Sequence, residues 1–250
     1  MASKIISVDE GSPAARAGLA AGETLLQIDG TAIRDVLDYK FYSYDARLTL
    51  KVLEQDGETV REVRVRKREG EPLGLNFEHY LMDQMKQCSN KCVFCFIDQL
   101  PKGMRKTLYV KDDDARMSFL MGNYISMTNL SEADVDRILR MHISPVNISV
   151  QTTNPELRVK MLQNRRAGEA LKIMDRFAEG GITMNCQLVV CKGLNDGDEL
   201  KRSLHDLKKL YPAVNTISVV PFGMTRHREG LYPLEPTDKP AAEAILDIVE

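Results

Sequence analysis

The run Cys88-Ser89-Asn90-Lys91-Cys92-Val93-Phe94-Cys95 sets three cysteines at C-x3-C-x2-C spacing. Three thiolates this close can hold three irons of a four-iron, four-sulfur cluster, leaving the fourth iron without a protein ligand. An iron with an open position is a place where a small molecule binds. Other readings compete. Structural zinc takes four ligands, commonly two C-x2-C pairs or Cys/His pairs. No second pair follows at that spacing, and His79 and His142 make no familiar zinc pattern. A disulfide framework suits small secreted chains, and the odd count of five cysteines in 250 residues also disfavours it. Three structural thiols by chance is the remaining alternative.

Composition narrows the setting. The 34 basic and 36 acidic side chains nearly balance, so no field of one sign points to nucleic acid or an anionic membrane. The start, MASKIISVDEGSP, lacks the apolar core of a signal peptide, and no apolar run is long enough to span a bilayer. A soluble, cytoplasmic protein in a reducing compartment is the expectation, with one large domain or two smaller ones. There is no tryptophan and no repeat.

Residues 1–78 read as a small β-rich module. Lys4–Val8 is a strand, Ser12 an N-cap for a helix over Ala14–Ala17, and Thr24–Ile28 a second strand before the tight turn Asp29-Gly30. Asp35–Tyr44 reads as a helix. Leu48–Glu54 and Thr59–Arg66 form a hairpin around Asp56-Gly57. Residues 12–30, SPAARAGLAAGETLLQIDG, resemble a PDZ domain, a fold that binds an extended peptide as an added strand. The carboxylate-gripping loop of such domains normally reads Gly-Leu-Gly-Phe. Its nearest match here is Leu73-Gly74-Leu75-Asn76-Phe77, at the far end of the module, an order that suggests the circularly permuted bacterial form. The resemblance makes Leu73, Gly74 and Leu75 the peptide-binding residues. The same stretch also reads as a strand linking to the next domain.

From residue 79 onward strands and helices alternate. Expected strands are Tyr80–Gln87, Arg116–Met121, Pro145–Gln151, Thr183–Val190 and Thr216–Pro221. Expected helices are Glu132–Met141, Pro155–Leu162, Gly168–Ala178, Glu199–Leu210 and Pro240–Val249. Such alternation implies a parallel sheet with right-handed crossovers, in a Rossmann-like sheet or a barrel.

The C-x3-C-x2-C run, with an aromatic at Phe94 before its third cysteine, resembles the signature of the radical S-adenosylmethionine (SAM) enzymes. The whole chain is similar to radical SAM enzymes with an N-terminal PDZ domain, described as iron–sulfur oxidoreductases with a C-terminal domain of unknown function. The stretches CVFCFIDQLPKGMR, DDDARMSFLMGNY and VVPFGMTRHR carry that likeness. It implies an α/β fold: a partial (β/α)6 barrel over residues 79–250, incomplete at its C-terminus, preceded by a PDZ-like domain over 1–78. It implies a [4Fe–4S] cluster on Cys88, Cys92 and Cys95, SAM on the open iron, and a ferredoxin or flavodoxin as electron donor. A protein C-terminal tail is the implied partner of the PDZ-like domain. The rivals are an adaptor with a structural or sensory cluster, and a zinc-binding scaffold.

The resemblance also marks SAM contacts. Where the family has Gly-Gly-Glu, this chain has Gly122-Asn123-Tyr124. The carboxylate is absent, and the Asn123 side-chain oxygen or backbone carbonyls can accept from the SAM ammonium instead. A plain turn is the other reading. Ser149 and Gln151 fall on one side of a strand and either meet SAM or bond within the barrel. Gln187 follows the same logic, and Phe94 joins the set. Gly193–Asp196 supports the adenine side or caps the next helix. In the run Thr225-Arg226-His227-Arg228, Arg226 is assigned to a carboxylate of SAM or an anionic substrate. Lys102 and Arg105 are candidates to neutralise the cluster. Asp112-Asp113-Asp114 reads as a solvated turn, and Cys186 and Cys191 as core thiols or ligands of a second cofactor.

Overall fold

A computed structural model describes residues 3–250. The chain divides into two compact units, one ending at Met85 and one running from Lys86 to Glu250. Among the described residues no helix is long and apolar enough to cross a membrane.

The first unit is an antiparallel sheet with two short helices. Its strands are β1 (Ser3–Val8), β2 (Thr24–Ile28), β3 (Thr31–Ala32), β4 (Arg47–Leu53), β5 (Val60–Arg66) and β6 (Leu75–Phe77), and its helices α1 (Pro13–Arg16) and α2 (Val36–Tyr42). The order is β5-β4-β2-β1-β6, with β3 paired to β2. Period-two alternation builds the hairpin: Leu48, Leu50 and Val52 on β4 and Val63 and Val65 on β5 are buried, while their neighbours face outward. The Asp56 carboxylate accepts from the Glu58 and Thr59 N–H groups and closes the turn. Ser12 caps α1 by accepting from the Ala15 N–H, and Asp35 caps α2 by accepting from Leu37 and Asp38.

The second unit centres on a parallel sheet of β7 (Val146–Ser149), β8 (Met184–Val190) and β9 (Val214–Pro221), in that order. Ile125 adds one parallel bridge to Ile148. The helices are α3 (Ala115–Met121), α4 (Glu132–Arg140), α5 (Pro155–Leu162), α6 (Lys172–Glu179), α7 (Gly197–Lys208) and α8 (Lys239–Val249). On β8, Met184, Cys186, Leu188 and Val190 are buried, which turns Asn185, Gln187 and Val189 to the other face.

Two expected strands are corrected. Tyr80–Gln87 forms none: Gln87 makes only an isolated bridge to Asp112, and the segment holds no β-branched residue. Arg116–Met121 lies in helix α3. Asp114 caps its start by accepting from the Arg116 N–H at 3.0 Å, and Gly122, at φ 79°, ends it in the left-handed conformation that glycine adopts freely. Met, Leu and Arg favour a helix once both ends are capped.

Candidate cluster site

The cysteine loop carries no regular structure and is held by borrowed hydrogen bonds. The Lys91 N–H donates to Leu162 O at 3.0 Å and the Val93 N–H to Met161 O at 2.9 Å. These are carbonyls of the last turn of α5, which have no partner within their own helix. The Cys88 N–H donates to Lys111 O, and Val93 is buried among Met161, Leu162, Ala167, Cys191 and Phe222. A short apolar anchor and one helix end thus fix the loop.

Cys88, Cys92 and Cys95 are free, half-buried, and line one cavity of about 650 Å³. Gly122, Asn123, Ser149, Gln187 and Phe94 share its wall. Its volume falls in the range of small-molecule sites. Burial pushes the Cys92 thiol up to about 12, with Cys88 and Cys95 beside it adding to the shift, and burial also raises Cys88. Two thiols raised in this way, Cys88 and Cys92, carry charge together only against a cation. Among the described residues, no group of three His, Cys, Asp or Glu side chains is arranged to hold a metal ion. A four-iron cluster does not ask the thiolates to meet at one ion, since each sits on a separate iron, so the donor set fits such a cluster.

The remaining candidates divide. Asn123 donates its amide to Asp112 at 2.8 Å, which leaves its oxygen as the acceptor. Ser149 stands at the end of β7, and Gln187 on the half-buried face of β8. Gln151 does not line the cavity. It is buried, donates to Ser149 Oγ at 2.5 Å, accepts from the Val189 N–H at 2.6 Å, and holds a left-handed backbone at φ 68°. Arg226 is exposed and outside the cavity wall. Asn195 accepts from the Cys191 N–H and donates to Gln151 O and Val189 O, closing the turn after β8. Cys186 and Cys191 are fully buried. Lys102 and Arg105 are exposed; the cation on the cavity wall is Lys111, ion-paired with Asp98.

The aspartate run is not a solvated turn. Asp113 and Asp114 are buried, and the three carboxylates part ways. Asp112 accepts from Asn123, Asp113 from the Ser126 N–H and Oγ, and Asp114 from Arg116 and the Lys86 N–H. Sequence reasoning also passed over Arg158. This side chain is 0% exposed and donates to four carbonyls: Val150 (2.9 Å), Ala167 (2.6 Å), Ser126 (2.9 Å) and Ser149 (3.0 Å). Nothing in a helical Pro-Glu-Leu-Arg run separates it from a solvent-facing arginine.

The family model for a radical SAM-like domain matches residues 67–217. This chain belongs to the radical SAM-like family. In the radical SAM-like chain a PDZ domain model also matches residues 4–54. Among solved structures, the PDZ domain of an SdrC-like protein from Listeria innocua is 22% identical, covers 33% of this chain and 100% of its own, and has a TM-score of 0.27. No curated protein matches the chain.

The expected peptide-binding residues belong to the first unit. Leu73 is buried and its carbonyl accepts from the Ala14 N–H; the Gly74 carbonyl accepts from the Asp9 N–H at 2.9 Å. Hydrogen-bonded and non-bonded pairs alternate in an antiparallel ladder. The next pair, Val8 with Leu75, therefore turns the Leu75 N–H away from β1. Tyr39 of α2 meets it. Its ring packs edge-on against Phe77 at 5.2 Å. Burial pushes the phenol up to about 12, against the pull of a hydrogen bond from the Leu75 backbone.

Proposed function

We propose that the chain is a radical SAM enzyme whose Cys88, Cys92 and Cys95 hold a [4Fe–4S] cluster within a partial (β/α)6 barrel. When bound, such a cluster with one open iron chelates SAM and, given an electron from a ferredoxin or flavodoxin, splits it to a 5′-deoxyadenosyl radical. One observation carries the reading: three free thiols share a cavity wall with Asn123, Ser149 and Gln187. The Asn123 oxygen accepts from the ammonium of SAM. Ser149 and Gln187 present hydrogen-bonding groups to its ribose and carboxylate, and Phe94 screens the site from water. The substrate is a protein or peptide, brought in when its C-terminal tail adds as a strand at β6. Reduced thiols of this kind suit the cytoplasm.

Anaerobic loading with iron and sulfide, followed by dithionite and SAM, tests the reading. Formation of 5′-deoxyadenosine is expected, and a Cys92→Ala variant should make none. Iron uptake without product would indicate an adaptor, and retained zinc without iron uptake a scaffold.

A further inference from the structure

The side chain of Asn90, inside the cysteine loop, is 5% exposed, and all four of its hydrogen-bonding positions are used. Its oxygen accepts from Thr128 Oγ1 at 3.0 Å and from Asn164 Nδ2 at 2.7 Å. Its amide nitrogen donates to Ser126 Oγ at 2.8 Å and to Cys88 Sγ at 3.5 Å. The orientation of the amide follows from its partners. The Ser126 hydroxyl donates its one proton to Asp113 Oδ2, so toward Asn90 it can only accept. The Asn164 amide can only donate. A flipped Asn90 would set oxygen against oxygen on one side and donor against donor on the other. The buried Asp113 carboxylate thus fixes, through Ser126, an N–H aimed at the Cys88 sulfur.

We infer that Asn90 is a tuning residue, whose N–H···S bond to Cys88 raises the reduction potential of the cluster. The inference rests on the proposed cluster. One-electron reduction places an extra negative charge on iron, sulfide and thiolate sulfur together. A fixed donor on that sulfur stabilises the reduced form more than the oxidised one. Hydrogen bonds to the sulfurs are among the factors that set such potentials.

The test is an anaerobic redox titration with dithionite on the full chain. The reduced cluster is followed by electron paramagnetic resonance, and iron content is measured beside it. Asn90→Ala should load iron and show a lower midpoint. At the wild-type midpoint its ratio of reduced to oxidised cluster should fall about tenfold, ~59 mV for one electron. Asn164→Ala keeps Asn90 but removes one of the two donors to its oxygen; it should shift the midpoint the same way by less, and it reads the same quantity if Asn90→Ala does not fold. An unchanged midpoint in an iron-loaded variant overturns the role of Asn90 and leaves the cluster standing. A wild type that takes up no iron overturns the cluster, and the role of Asn90 with it.

Discussion

Arg228 donates to the side-chain oxygen of Gln99 at 3.2 Å, tying the loop after β9 to the end of the cysteine loop. The same guanidinium donates to Val93 O and Tyr232 O and lies over the Phe222 ring at 4.9 Å. Arg228→Ala should cost about 1.5–3 kcal/mol, the range for hydrogen bonds from a charged group. Arg228→Lys should not restore it, because a compact ammonium lacks the planar fork that spans those acceptors while lying flat on a ring. Arg226→Ala, two residues earlier and exposed, should stay within about 0.5 kcal/mol. Urea unfolding, with the two units fitted separately, measures all three.

Arg158 gathers the Ser126, Ser149 and Val150 carbonyls beside β7 with that of Ala167. Arg158→Ala strands those four buried acceptors. A loss of about 3 kcal/mol or more is expected, since each buried acceptor left unpaired costs about 1–3 kcal/mol, seen as a lower melting temperature for the second unit. Arg158→Lys should recover only part, since an ammonium cannot reach four carbonyls in one plane.

Gly74 combines a φ of 81° with the close approach of Ser12. An added Cβ would lie 2.3 Å from Ser12 Cβ. Gly74→Ala should destabilise the first unit by more than about 1 kcal/mol. Ser12→Gly removes the clash and, as an N-cap, costs only a few tenths. The double variant should therefore be more stable than Gly74→Ala alone, and a double-mutant cycle by thermal unfolding reads the coupling.

The box at the start of α4 gives a pH dependence. Asp134 accepts from the Ser131 N–H and Oγ and from Lys86. Burial pushes its carboxyl up, but the hydrogen bonds from Lys86 and Ser131 outweigh that and hold it below its ordinary value. A depressed acid contributes stability that is full above its unfolded pKa, about 3.9, and is lost as pH falls through the folded value. Asp134→Ala should cost about 1 kcal/mol at pH 7. The gap to wild type should narrow as the pH falls below that unfolded value and through the lower folded one, which denaturation at stepped pH would show.

Local signals were legible in the sequence where one strong rule governed. Leu48, Leu50 and Val52 alternate, Asp56-Gly57 turns, and β4 and β5 follow. Arg116–Met121 was ambiguous because a short apolar run fits either element. The caps Asp114 and Gly122 decide it, and their weight shows only once the helix between them is in place. The cysteine spacing was legible for the same reason as the hairpin, as a pattern within a few residues. Asn90 was not, because Ser126, Thr128 and Asn164 lie more than thirty residues away; Arg158 was not, because its acceptors are backbone carbonyls, which no side-chain pattern marks.

Tyr39 bears on any chain that comes to lie along β6. That strand ends the sheet, and its outward Leu75 amide would invite indiscriminate pairing were it bare. The Tyr39 ring, packed edge-on against Phe77 at 5.2 Å, stands over that border, so a strand added there would first have to displace it.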